Sequence, residues 1–249
     1  MSLHLLAIGC DYRGETFALP DCARDAESIA ETLEPYIASG IELVNEQADR
    51  AGMLKALAKI KSQMRKSDVA IVSFSGHGTS DTINGKTAQG IVANDATIIY
   101  EFELRRLLAD LGQAVFIADC CFSGGLVRSD LTTKQLRRQR WIPATHCFHR
   151  SGVALPSKAV PKPHATYMAC KAGETAASTG KGGAFTLALL EAFAERGDKA
   201  TLRGLHDAIR KLLPSKEYNQ HPQFSCRDAA FAQRTIRSFN KTWNKRAAV

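Results

Sequence analysis

The chain has 249 residues, 45% hydrophobic and 23% charged, which is enough apolar material for a self-sufficient core and argues against wholesale disorder. Lys and Arg (33) outnumber Asp and Glu (25), and the net charge of +8 favours acidic partners only weakly. No run of 18 apolar residues occurs, and the start MSLHLLAIGCDYRG has neither a basic leader nor a small-residue cleavage site, so a membrane span and a secretory signal are not expected. The seven cysteines are scattered, odd in number and include an adjacent pair, unlike a disulfide framework. With no C-x-x-C knuckle for zinc, they point to a reducing, cytoplasmic setting.

Leu3 to Ile8 (LHLLAI), stopped by Gly9, reads as a buried strand. Asp21 opens a helical pattern in which Ala26, Ile29, Ala30 and Leu33 share a face, and Pro35 marks its end. IELV at 41–44 is a second strand, and Asp49 caps a helix carrying Met53, Leu54, Leu57, Ile60 and Met64. DVAIVSFS at 68–75 is the third strand, broken by Gly-His-Gly, and the polar stretch 79–90 reads as a loop. A helix follows over 101–111, then a fourth strand, AVFIAD at 114–119. Residues 124–164 lose the rhythm and form a long loop, after which ATYMAC at 165–170 resumes as a strand. Helices are predicted over 183–193 and 202–213, and the basic tail NKTWNKRAAV reads as a frayed helix end. Apolar strands alternating with helices predict one α/β domain over 1–249, a mostly parallel sheet with helices on both faces.

Two strand ends carry chemistry. Ser75-Gly76-His77-Gly78 follows the third strand, and Asp119-Cys120-Cys121 followed by FSGG closes the fourth. In a parallel sheet both fall at the carboxyl edge, where open α/β folds bind their ligands. A free thiol is mostly protonated at neutral pH, so a neighbouring imidazole is what makes it a useful nucleophile. The flanking glycines let backbone approach closely, and the amides of Gly78 and Cys121 are candidates for stabilising an oxyanion. The bland alternatives are a structural turn histidine and buried packing cysteines, and the latter is the better reading for Cys120.

FSGHG at 74–78 with ADCCFSGG at 118–125 resembles the metacaspases and their prokaryotic relatives, within the caspase-like (C14) peptidases. The caspase signature puts the histidine about 50 residues before the cysteine, which fits His77 and Cys121. The resemblance extends through LPDCARDAESIAETL at 19–33, YMACKAGETAAS at 167–178, GGAFTLALLEAF at 182–193 and HPQFSC at 221–226, covering nearly the whole chain. It implies a caspase-like fold, His77 as catalytic histidine and Cys121 as nucleophile, in a cysteine endopeptidase cutting after Arg or Lys. Phe122 stands where metacaspases more usually have His, and Glu174 where many relatives have Gln or Asp. No third triad member is evident, so a backbone carbonyl is expected to orient the histidine.

The resemblance matches Cys22, Asp25, Ser75 and Asp119 to the lining of an acidic S1 pocket. The strand period agrees for Asp119, which lies two residues before Cys121 and so on the same side. A desolvated carboxylate there needs a cation, which a substrate arginine supplies. The alternatives are a helix first-turn charge for Asp25, a turn former for Asp119, packing for Cys22 and a backbone-bonding hydroxyl for Ser75. HPQFSC at 221–226 resembles the late segment that precedes or forms an edge strand of the family sheet, and a neighbouring edge is a place for a substrate strand to pair.

Lys134, Arg137, Arg138 and Arg140 lie where caspase-like enzymes carry an intersubunit linker and read as a processing loop, against the alternative of a solvated basic stretch. Nucleic acid is not an expected partner, because no aromatic interleaving accompanies the charge. The chemistry needs no cofactor. Calcium activation occurs in the family, but no EF-hand loop is present. Expected partners are proteins with exposed Arg or Lys and an upstream activating protease, with a monomer favoured over a dimer. The role implied is a regulated effector in a bacterial stress, cell-death or antiphage pathway, and the rival reading is a catalytically silent scaffold of the same fold.

Overall fold

The computed structural model describes residues 1–121, 139–171, 174–213, 218 and 220–239. Its elements in chain order are β1 (Leu3–Gly9), α1 (Cys22–Leu33), β2 (Ser39–Val44), α2 (Arg50–Gln63) and β3 (Val69–Ser75). There follow β4 (Gly78–Ile83), β5 (Lys86–Val92), β6 (Ile98–Tyr100), α3 (Glu101–Asp110) and β7 (Gln113–Asp119). The remainder is β8 (Ala165–Met168), α4 (Ala184–Arg196), α5 (Leu202–Leu212), β9 (Gln223–Cys226) and the short α6 (Ala229–Ala232).

The described residues form a six-stranded sheet in the order β2-β1-β3-β7-β8-β9. All neighbours pair in parallel except β9, which closes the edge antiparallel to β8. The strand period splits the core in two. Leu6, Ile8, Val72, Phe74, Phe116 and Ala118 face α2 and α3, while Leu3, Leu5, Ile71, Val115 and Ile117 face α1, α4 and α5. Burial on both faces explains why these strands are apolar throughout. It also sends Cys120 and Cys121 to opposite layers, Cys120 into the first cluster and Cys121 into the second.

The expected loop over 79–90 is instead a hairpin. β4, β5 and β6 form a separate antiparallel sheet, and Ile83 pairs with Lys86 across Asn84-Gly85. Both turn residues have positive φ (50° and 74°), the geometry that a two-residue hairpin turn needs and that Asn-Gly supplies. The signal was there in INGK, but β4 (GTSDTI) is too polar to stand out as a strand.

Two further boundaries differ. β8 ends at Met168, two residues short of the expected strand end. Within the described part of the 124–164 loop, a 3-10 turn at Ala144–His146 and single bridges pin the chain, Gly78 to Trp141 and Gln139 to Ala177. The tail from 240 lies outside the described residues. No helix among the described residues is long and apolar enough to cross a membrane.

Candidate active site

The register aligns the strand ends. Gly9 of β1 pairs with Ser75 of β3, and Ser75 pairs with Asp119 of β7. His77 and Cys121 therefore each lie two residues beyond a paired position, on one rim of the sheet.

His77 is fully buried. Its Nε2 lies 2.7 Å from the Phe17 carbonyl, which can only accept, so Nε2 carries the proton and Nδ1 keeps its lone pair. Nδ1 has no hydrogen-bond partner among the described residues. The ring packs on Tyr12 and Phe17, with centroids 4.8 and 5.7 Å away. Tyr12 itself has φ 52°, an unusual conformation for a bulky residue. Its hydroxyl donates to the Val92 carbonyl at 2.6 Å and accepts the His77 amide at 2.9 Å. Burial pushes the His77 pKa down to about 3; the Phe17 contact opposes this and the Arg140 charge reinforces it. The ring is neutral at physiological pH.

The Cys121 thiol is also fully buried. Its Sγ accepts the Ala176 amide at 2.8 Å, and the Cys170 thiol is hydrogen-bonded to it, which together with burial raises the Cys170 pKa. Burial likewise raises Cys120 far above its usual value, as befits a packing thiol.

Arg140 has 0% exposure, and its backbone meets both strand ends. The Arg140 carbonyl oxygen accepts the Gly78 amide at 2.9 Å and the Cys121 amide at 3.0 Å, and the Arg140 amide donates to the Ala176 carbonyl at 3.1 Å. Gly78 is required here, because a Cβ would overlap the Cys121 carbonyl.

The guanidinium enters a cage of three carboxylates. Nη2 lies 2.7 Å from Asp25 and 3.2 Å from Asp21. Nη1 reaches the Ser75 hydroxyl, the Asp119 carbonyl at 3.1 Å and the Asp119 carboxylate at 3.6 Å. Each carboxylate has further donors. Asp25 accepts the Ser75 hydroxyl at 2.6 Å and the Gly183 amide at 2.9 Å. Asp119 accepts the Thr186 amide at 2.9 Å and hydroxyl at 2.7 Å, and Asp21 accepts the Ser178 hydroxyl at 2.6 Å and the Gly180 amide at 3.1 Å. Gly183 and Thr186 sit at the N-terminus of α4, whose free amides and dipole favour anions.

One cation among three carboxylates leaves an excess of negative charge. Burial pushes Asp119 up to about 6, with Asp25 adding to the rise and Arg140 opposing it. Against the cost of burial, the surrounding acids keep Arg140 protonated.

Of the expected site residues, Asp25, Ser75 and Asp119 come together around the guanidinium, while Gly78 and Cys121 meet at its carbonyl; the His77 ring lies beside them on the same rim, packed on Tyr12 and Phe17 with no hydrogen bond to the Cys121 thiol. Cys22 is packed in the apolar cluster with a hydrogen bond to Ser75. Arg140, taken with its loop as a processing segment, is embedded here rather than exposed. Lys134, Arg137, Arg138 and Phe122 lie outside the described residues. Glu174 turns to His221, accepting its amide at 2.8 Å and its ring at 2.5 Å.

Asp21, Phe17, Ala176, Gly183 and Thr186 were not anticipated. Asp21 had a visible role as the residue opening α1, but its carboxylate makes no cap bond and turns into the cage. The others act largely through backbone atoms, which residue type does not reveal. Among the described residues, no group of three or more His, Cys, Asp or Glu is placed to hold a metal.

Chemically, the rim offers a thiol, an imidazole with a free lone pair, two amides converging on one carbonyl oxygen and an acidic socket for the adjoining side chain. The fold is shared with a Geobacter sulfurreducens protein, GSU0716, at TM-score 0.75 and 23% identity, over 96% of this chain and 99% of that one. Caspase-1 from Spodoptera frugiperda is more distant, at TM-score 0.55 and 13% identity over 90% and 85% of the two chains. No curated protein matches the sequence. The caspase domain of peptidase family C14 matches residues 3–231; the chain belongs to this family and has the caspase-like fold.

Proposed function

We propose that the protein is a cysteine endopeptidase that cuts proteins after Arg or Lys, with Cys121 as nucleophile and His77 as the proton carrier. The observation that carries this is the seat of Arg140: an arginine side chain buried among Asp21, Asp25 and Asp119 while its carbonyl takes the Gly78 and Cys121 amides. A substrate residue lying the same way presents its carbonyl carbon to the thiol, and two aligned amides favour the oxyanion that forms on attack. The neutral His77 ring, oriented through Nε2 by the Phe17 carbonyl, has Nδ1 free to accept the thiol proton. Nδ1 then returns the proton to the leaving amine, and water releases the acyl group from sulfur. Catalysis requires the thiol proton, directed at the Ala176 carbonyl 3.9 Å away, to turn to Nδ1.

A substrate Asp in the same socket would meet three carboxylates, a like-charge juxtaposition that costs several kcal/mol. The test is hydrolysis of fluorogenic peptides ending in Arg, Lys or Asp. Arg and Lys peptides are expected to be cut, Cys121→Ala to abolish turnover, and Cys120→Ala to retain most of it. Cleavage of Asp peptides alone would overturn the specificity, and full activity in Cys121→Ala would overturn the nucleophile.

A further inference from the structure

In the layer of α2 and α3, these two helices and residues 150–156 enclose a cleft of about 510 Å³. Three arginines from separate segments line it: Arg50 at the start of α2, Arg106 within α3, and Arg150. A single carboxylate faces them. Glu103 Oε1 lies 3.2 Å from Arg50 Nη2 and also contacts Arg150 Nη2, while its Oε2 accepts the Tyr100 amide at 3.1 Å. The Nε atoms of Arg50 and Arg150 are buried and have no hydrogen-bond partner among the described residues. Arg106 is exposed and makes no salt bridge among the described residues.

Three guanidinium groups against one carboxylate leave the cleft with two positive charges in excess, and its lining holds no other charged residue among those described. Arg50 and Arg150 share one carboxylate oxygen, so they stand close enough for a single anion to bridge both. A phosphate monoester carries about −1.5 to −2 at neutral pH, which matches the excess, whereas a carboxylate supplies only one charge. Guanidinium forks also fit phosphate oxygens in pairs. The remaining wall is apolar, with Leu54, Phe102, Leu107, Val153 and Pro156. The Phe102 ring is held in place by stacking on Tyr100, with centroids 5.6 Å apart. An apolar cleft of this size with a few convergent charges has the make-up of a small-molecule site.

We propose that this cleft binds a small organic phosphate, its monoester dianion held by Arg50, Arg106 and Arg150 and its apolar body packed against the wall that carries Phe102. Glu103 is the internal counterion that holds two of the arginines in place, and the ligand supplies the negative charge that Glu103 alone does not. The site is separate from the peptidase site and shares no residue with the Cys121 rim or the acidic socket. Binding makes and breaks no covalent bond, so it stands or falls without reference to peptide hydrolysis.

The experiment is isothermal titration calorimetry of the full chain in phosphate-free buffer at low salt, with phenyl phosphate, inorganic phosphate, benzoate and phenol as probes. Phenyl phosphate is expected to bind once per chain, about 10-fold or more tighter than inorganic phosphate, which lacks the apolar body, and than benzoate, which lacks the second charge. Phenol, with no charge, should give no measurable heat. Arg106→Gln and Arg150→Gln should each weaken phenyl phosphate about 10-fold or more, the scale of losing a hydrogen bond to a charged group. Arg105→Gln removes the same charge from the same helix, but Arg105 pairs with Glu101 and lines a different cleft, so binding should not change. Thermal melts check that each variant folds, and Arg106→Gln, which alters an exposed side chain, carries the test if Arg150→Gln does not. No binding of phenyl phosphate, unchanged binding in Arg106→Gln, or equal weakening by Arg105→Gln would overturn the proposal. Inorganic phosphate or benzoate binding as tightly as phenyl phosphate would overturn it too, leaving an adventitious ion only.

Discussion

An imidazole whose Nε2 proton is committed to a backbone carbonyl has only Nδ1 left for chemistry, and at His77 that atom is buried and has no hydrogen-bond partner among the described residues. Keeping the ring neutral inside the protein has a thermodynamic consequence. The folded pKa of about 3 lies below the ordinary value of 6.5, so between these values the unfolded chain binds the extra proton. Stability contributed by the neutral ring is intact above pH 6.5 and is lost as the pH falls toward 3. At about 1.4 kcal/mol per unit, acidification from pH 6.5 to 5 removes up to ~2 kcal/mol through this group. Urea unfolding of wild type and His77→Gln across pH 7.5 to 5 should show a steeper acid decline in the wild type; parallel curves would show that His77 is not the group responsible. The sequence marked His77 and Cys121 through their glycine-rich strand ends. It could not mark Phe17 or Ala176, because what those residues contribute is a carbonyl and an amide that every residue has.

At the scale of elements, the site is the meeting of two strand ends, one hairpin and one helix terminus. The β3 and β7 ends bring the carbonyl-binding amides together, and β4 begins at Gly78, so the second sheet takes its origin from the site itself. The α4 N-terminus supplies amides to Asp25 and Asp119. Because a Cβ at Gly78 would overlap the Cys121 carbonyl, Gly78→Ala must push these two backbones apart. We expect kcat on Arg peptides to fall about 100-fold or more, the scale of losing one oxyanion donor, with far-UV circular dichroism unchanged. Undiminished turnover would mean the Gly78 amide is not used. The hairpin containing β4 was hidden from pattern reading by its polar residues, though Asn84-Gly85 announced the turn, whereas the core strands were legible because burial on both faces demands unbroken apolar runs.

For the whole molecule, Arg140 is an internal counterion joining segments far apart in the chain: Asp21 and Asp25 of the first crossover, Ser75 at β3 and Asp119 at β7. Removing one member of a buried ionic cluster strands the rest, typically at about 3–5 kcal/mol. Arg140→Met should destabilise the protein by roughly that amount at pH 7.5. The sign of the pH dependence is fixed by Asp119, whose folded pKa, raised to about 6, lies above its unfolded value near 3.9. Its protonated form is the one the fold favours, so stability is present at low pH and lost as the pH rises through 6. Without Arg140, which opposes the rise, Asp119 is pushed higher still, so the deficit of Arg140→Met against wild type in urea unfolding should be smaller at pH 5 than at pH 7.5. An equal deficit at both would argue that Asp119 does not depend on Arg140.

The amino-acid order by itself determined the alternation of apolar strands and helices, the parallel sheet, and the pairing of a histidine and a cysteine at its carboxyl edge, because periodicity and glycine punctuation are local properties. It also placed a basic stretch after Cys121, but the four basic residues scattered over 134–140 are equivalent until the chain is folded. Only the tertiary structure singled out Arg140, since selecting it depends on three carboxylates and two amides from distant segments converging around one guanidinium and one carbonyl. That convergence is a matter of distance in space, which no local pattern encodes.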